Sequence, residues 1–323
     1  MRLLEVSDCT KVSKHPKNNI LDMKNSFKLV LCCLVFIASC NNPMKVTEAH
    51  GIGKAKIFFE ESFKPLFDTS IYTFESQNPL ADIIPVYKTE EEILQDFFAK
   101  KVETMCITRD LTEAEIAKLK KANIEVRSEI LAKDAVALII NPENPDSTIS
   151  IDQLKDVLTG KTKTWSSLET GINVVFDHEN SANFNYLKNL SGVTKVPENV
   201  FAVKSNAEVI NYVKNNKSAI GVIGVNWISD EDDPQTLGFL NGIRVMSVSK
   251  TATSESFKPY QSYIYDKQYP MTRDLWVVNY ASRSGVSSGF LLFMTGEKGQ
   301  LLIQKSSLIP ANMVARVIQL KSE

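Results

Sequence analysis

Charge of one sign is what this chain most plainly lacks. Lys+Arg number 37 and Asp+Glu 38 in 323 residues, a formal net charge of −1. A protein held to nucleic acid by a general basic field needs a clear excess, so no nucleic-acid partner is expected. Histidine and cysteine are scarce: His15, His50 and His178, with Cys9, Cys32, Cys33, Cys40 and Cys106. No CxxC pair and no histidine spacing suits a metal ion, so no metal or cofactor is expected. GxGxxG and phosphate-loop motifs are absent too. The apolar run Leu29–Ala38 is short of the ~20 residues a membrane span takes.

That short run has a different meaning. From Met23 the chain reads MKNSFKLVLCCLVFIASC. Lys24 and Lys28 form a charged start, Leu29–Ala38 the apolar stretch, and Ile37-Ala38-Ser39-Cys40 resembles the bacterial lipobox. Residues 23–39 are read as a lipoprotein signal peptide and Cys40 as the lipidated first residue. Residues 1–22 are polar, contain Pro16 and read as an upstream start assigned too early. Residues 40–54 read as the lipidated cysteine and a flexible tether. A membrane lipid anchor facing the periplasm or cell exterior follows. Only Cys40 and Cys106 remain after cleavage, so no internal disulfide is expected, and Cys106 sits in an apolar run as a core residue.

Beyond the tether, apolar periodicity alternates. Strands are expected at 54–60, 81–86, 104–107 and 124–126, with helices at 62–74, 89–100 and 112–121 between them. Thr112 and Glu115 spell a capping box. The most apolar strand of the mature chain is DAVALII, 134–140. Ser150 caps a helix that Gly160 stops. A second alternating unit runs from 172 to 224, and β-rich, Tyr-rich and helical segments close the chain. The Tyr-rich segment 257–278 reads as a strand and lobe edge. The class is α/β, with two parallel-sheet-based units and a chain that returns after the second.

Three segments in order carry a resemblance. They are DAVALIINPENPDSTISIDQLKDVLTGKTKTWSSL from Asp134, KSAIGVIGVNWI from Lys217, and GFLLFMTGEKGQLLIQKSSLIP from Gly289. Over residues 55–316 the chain resembles phosphate-type periplasmic solute-binding proteins of the type II fold, in particular Bacteroidetes-like lipoprotein members. The resemblance implies two lobes joined by two crossing strands, 55–138 plus 227–323 and 139–226. It implies a monomer that captures phosphate or a similar oxyanion in the cleft for an ABC permease, without catalysis.

An oxyanion needs aligned N–H donors, hydroxyls and a cation. Helix N-termini at the carboxyl ends of strands provide the first two. Three such starts are Glu60-Glu61-Ser62, Thr108-Arg109-Asp110 and Asn180-Ser181-Ala182-Asn183. Candidate ligand contacts are Ser62, Thr108, Arg109, Ser181, Ala182 and Asn183. Glu61, Asp110 and Asp177 are candidate acceptors of a ligand proton, which phosphate carries and sulfate does not. Glu60 and Glu61 repel a dianion unless one is protonated. The resemblance places a G-S-G-T helix start on 180–183 and an Arg four residues before its Ser. Here that position is Asp177, so Arg109 is the candidate compensating cation. A surface or adhesion lipoprotein that keeps the fold is the alternative. A Ser-dependent hydrolase is the third reading, and adjacent Asp177 and His178 point apart in an extended segment, against a triad.

Overall fold

The computed structural model describes residues 49–193, 197–228, 234–281 and 283–312. The signal peptide, Cys40 and most of the tether lie outside the described residues. Thr47–Glu323 is one compact unit holding every described element and all three apolar clusters, so a form spanning 41–323 keeps the whole described core.

Period-two apolar runs become strands and capped 3.6-period runs become helices, in the order that follows. β1 (Ile52–Glu60), α1 (Lys64–Gln77), β2 (Leu80–Lys88), α2 (Glu90–Phe98), β3 (Thr104–Ile107), α3 (Glu113–Lys121) and β4 (Arg127–Ile140) come first. β5 (Thr148–Ser150), α4 (Ile151–Leu158), β6 (Asn173–Phe176), α5 (Ala182–Ser191), β7 (Val200–Ala202), α6 (Asn206–Asn215) and β8 (Ala219–Gly224) form the second unit. α7 (Pro234–Leu240), β9 (Arg244–Val245), β10 (Ser247–Ser249), β11 (Ser256–Phe257), α8 (Gln261–Tyr265), β12 (Thr272–Asn279), α9 (Val286–Thr295), α10 (Glu297–Lys305) and β13 (Ile309–Pro310) close it. Capping boxes at Thr89–Glu92, Thr112–Glu115 and Ser150–Gln153 set three helix starts.

The main sheet runs β2-β1-β3-β12-β4-β8-β6-β7. β2, β1 and β3 are parallel, as are β8, β6 and β7. Between these two triplets stand β12 and β4, antiparallel to their neighbours. β4 belongs to both lobes: Arg127–Ala135 pairs with β12, and Val136–Ile140 pairs with β8. This strand is one crossing. The other is the run from β8 into the 3-10 turn Val225–Trp227. Two lobes of α/β build joined by two crossings are the fold.

Three sequence expectations need correction. Residues 124–126 form no strand, because β12 occupies the place beside β3 and β4 begins its pairing at Arg127. The strand expected from Asp134 is the second half of the longer β4. Around the tyrosines, Gln261–Tyr265 is a short helix, and β12 is an interior strand rather than an edge. Tyr269 is buried and donates its hydroxyl to the Val136 carbonyl at 2.7 Å, fastening the crossing. The returning segment also pairs with the second unit, β9 with Ile139–Ile140 and β10 with β5.

Alternation divides the apolar residues. Ala55, Ile57 and Phe59 of β1 face α1 and α9, while Phe58 faces Ile93 and Phe97 of α2. Cys106 is fully buried and free, and burial pushes its thiol pKa up. Gly221 of β8 is packed so closely that a Cβ there stands 2.7 Å from Ile139 and from Val213. Gly221→Ala is expected to cost about 1–3 kcal/mol by overpacking, read as a lower melting temperature in a thermal melt.

Candidate functional site

Glu60 ends β1, and the chain turns at once into the 3-10 turn Glu61–Phe63. This turn of lobe one meets lobe two and the second crossing at three places. The Ala182 amide, first in α5, donates to Glu60 Oε1 at 3.3 Å. Asn206, first in α6, donates Nδ2 to Glu61 Oε2 at 2.8 Å. Asn226 Nδ2 and Trp227 Nε1 both donate to the Ser62 carbonyl at 2.8 Å. The helix starts that the strand–helix pattern singles out are thus drawn together over one buried seam.

Asp177, at the end of β6, is fully buried. Ser181 Oγ donates to it at 2.6 Å, and the Nδ2 groups of Asn183 and Asn206 each at 3.3 Å. The Ser181 oxygen meanwhile accepts the Phe184 amide at 3.1 Å and caps α5. The serine therefore serves helix and aspartate together, and no imidazole stands between Ser181 and Asp177. The hydrolase geometry is not formed here.

Arg273 is the cation at this seam, a residue that sequence reasoning passed over. It is 8% exposed, and its Nε donates to Asp134 Oδ2 at 2.8 Å. Its guanidinium lies over the Phe63 ring, 5.3 Å from the centroid. Around Gly224, Arg273 Nη2, Ser62 O and Asn226 Nδ2 all lie within 3.6 Å of where a Cβ would be. Both Arg273 Nη atoms, Ser62 Oγ, Asn183 Oδ1, Asn226 Oδ1 and Asp134 Oδ1 are buried without a hydrogen-bond partner among the described residues. Such atoms are rare and costly in a folded protein, and here they crowd one place. A sequence signal for Arg273 existed: in β12 it shares the period-two phase of Leu275 and Val277, which face the core.

The carboxylates respond to this enclosure. Burial, then the charge of Asp177, raises Glu60 to about 8, against the pull of Arg273 and the Ser62 amide. Burial and Asp177 raise Glu61 to about 7 despite its bond from Asn206. Asp177 and Asp134 are raised as well, again by burial first. Glu60 is thus pushed toward its protonated form while its Oε1 accepts the first amide of α5. A cleft of about 520 Å³ leads outward from Glu61, lined by Tyr87, Lys88 and Thr89 of lobe one and His178–Asn180 of lobe two.

Thr108, Arg109 and Asp110 are each engaged by partners of their own, Thr108 through Glu90, whose charge also reaches Glu60. Thr108 donates its amide and hydroxyl to Glu90 at 2.7 and 2.5 Å. Arg109 makes a two-pronged pair with Glu115 at 2.8 and 2.9 Å, which holds the Glu115 carboxyl at about 2. Asp110 accepts the Leu111 amide at 2.7 Å. One motif was also passed over in the sequence. Gly285-Val286-Ser287-Ser288-Gly289 has G-x-S-x-G spacing, yet it opens α9 of lobe one, and the nearby His50 ring binds the Arg283 carbonyl at 2.6 Å instead.

Two α/β lobes, two crossings and a buried polar seam holding a guanidinium whose Nη groups have no partner among the described residues define a bilobed binding protein rather than a site built round a nucleophile. Residues 46–298 match the family model described as the PBP superfamily domain, and the chain belongs to that family. It is 23% identical to the phosphate-binding protein PstS of Borreliella burgdorferi over 259 residues, 76% of this chain and 85% of that protein. It is also 23% identical to PstS of Staphylococcus epidermidis, covering 64% of this chain and 63% of that one. Among solved structures, a substrate-binding protein assigned to phosphate ABC transport in Clostridium perfringens, with bound phosphate, aligns with a TM-score of 0.67 at 21% identity. The match covers 80% of this chain and all of that one, 100%. An ABC-type phosphate transport receptor from Vibrio cholerae gives 0.60 at 19% identity, covering 79% and 99%.

Proposed function

We propose that this chain is an extracytoplasmic receptor that closes on phosphate and delivers it to an ABC importer, anchored by lipid on Cys40 and acting as a monomer without catalysis. The observation that carries the reading is Arg273: a buried guanidinium with two free Nη groups, beside a free Ser62 hydroxyl, between the lobes. A planar fork of N–H donors suits a tetrahedral oxyanion. Arg273, not Arg109, is then the cation that offsets Asp177, and Asp177 is a brace for Ser181, Asn183 and Asn206 rather than a bare charge facing the ligand. The N-terminus of α5 supplies amides, with Glu60 on its first N–H exchanging that bond for the ligand on binding. Relatives named for phosphate binding support the same ligand.

Calorimetry on the 41–323 form with phosphate, sulfate and molybdate tests this. Phosphate is expected to bind and sulfate not, because Glu61 on the cleft wall can, in its ionised form, accept the proton that phosphate carries and sulfate lacks. No heat with any of the three refutes the receptor reading. In the same experiment Arg109→Ala is expected to leave phosphate affinity unchanged while lowering the melting temperature by a few degrees, because its donors are spent on Glu115 at the start of α3.

A further inference from the structure

Lobe one has two poles. Its parallel strands end at the seam, and they begin ~20 Å away, the rise of β1 from Lys54 to Glu60. At the starting pole β3 pairs with β1 only at Phe58 and Phe59, so the first half of β1 has an open side. A hollow of about 360 Å³ lies there, ringed by Lys54, Lys56, Lys100 and Lys101. The first turn of α9 opens into it through Gly285, Val286 and Ser287. Gly285 supplies no side-chain cap, and the positive end of this ten-residue helix's dipole lies at the hollow. Ser287 lines the hollow, is 9% exposed, and its hydroxyl has no hydrogen-bond partner among the described residues.

The charges there favour an anion. Lys54 is paired with Asp82 at 2.7 Å and Lys101 with Asp96 at 2.6 Å, whereas Lys56 and Lys100 have no carboxylate partner among the described residues. Glu103 is the one acid lining the hollow. A neighbouring hollow of about 400 Å³ adds Arg127 and Arg283 against Glu129, with Leu292 59% exposed on its rim. The described chain also enters at this pole, where the His50 backbone packs on Gly289. Cys40 is nine residues before Ala49, a reach of at most ~30 Å.

We propose that this pole is a docking surface for anionic phospholipid headgroups. A headgroup phosphate enters the lysine-ringed hollow at the start of α9, and Leu292 turns toward the bilayer. The tether length adds to the case through the proposed lipid on Cys40; the charge and the cavity stand without it.

The test is flotation of the 41–323 form with vesicles of phosphatidylcholine alone and of phosphatidylcholine with phosphatidylglycerol. Flotation is expected only with phosphatidylglycerol and falls with added salt. The Lys56→Gln/Lys100→Gln variant is expected to partition on the order of thirtyfold more weakly, given the usual contribution of a lysine at an anionic surface, and Lys56→Arg/Lys100→Arg to restore binding. Calorimetry with phosphate on each variant shows that fold and cleft are intact, so failure here is distinct from failure of the receptor reading. Equal flotation of the glutamine variant, no flotation with phosphatidylglycerol, or displacement by millimolar inorganic phosphate each overturns the proposal, the last by making the hollow a free-phosphate site.

Discussion

Arg273→Ala is expected to abolish phosphate binding and to weaken the fold at the same time. The binding loss follows from two charge-assisted hydrogen bonds, each worth about 1.5–3 kcal/mol, so the affinity falls by at least about a hundredfold. The stability loss follows from Asp134, which is fully buried and left without its partner. Breaking one side of such a pair costs about 3–5 kcal/mol. Because an unstable protein also fails to bind, a second variant separates the effects. Arg273→Met with Asp134→Leu removes both charges and is expected to melt near the native temperature, since apolar replacement of a buried pair is often neutral. It is nonetheless expected to give no calorimetric signal with phosphate. Native affinity in that double variant removes Arg273 from the site.

The second large effect is a pH dependence set by Glu60. Its carboxyl is at about 8 in the folded chain, pushed there by burial and Asp177, and near the ordinary ~4.3 when unfolded. Between those values the folded state holds a proton that the unfolded state has released. The phosphate-free protein is therefore most stable near pH 5 and loses on the order of a few kcal/mol as pH rises through about 8. Glu61, raised to about 7, adds to the loss with the same sign. Arg273 and Glu90 also face Glu60, Arg273 opposing the rise and Glu90 adding to it. Glu60→Gln is expected to flatten part of the slope, leaving the share of Glu61, Asp177 and Asp134, and to melt higher than the native chain at about pH 8, followed by thermal melts across that range. A native chain whose melting temperature climbs from about pH 5 to about 8 contradicts the placement of Glu60.

The fold was legible where local signals were strong. The capping box at Thr112, the helix cap at Ser150 and the strand of 104–107 fall where the pattern puts them. The strand at 124–126 misled because three apolar residues carry no information on whether a neighbour is available. In the site, Ser62, Asp177, Ser181, Ala182 and Asn183 were readable as strand ends and helix starts. Asp134 and Arg273 were not, since they are distant in sequence and meet only through the β4–β12 register. Arg109 drew attention by proximity to a helix start, and nothing local reveals that Glu115 two positions into α3 claims it.

β4 serves both lobes without a break. Beyond the register shift opposite Leu275 and Trp276, side chains from Val136 on alternate between faces: Val136, Leu138 and Ile140 share one cluster while Ala137 and Ile139 share another. Inserting or deleting a single residue between Lys133 and Val136 turns every later side chain of the strand to the opposite face. Changes of two residues keep the alternation. The length of this crossing is thus constrained in parity: descendants of this chain can vary it only in even steps, and an odd change must be undone within the same strand.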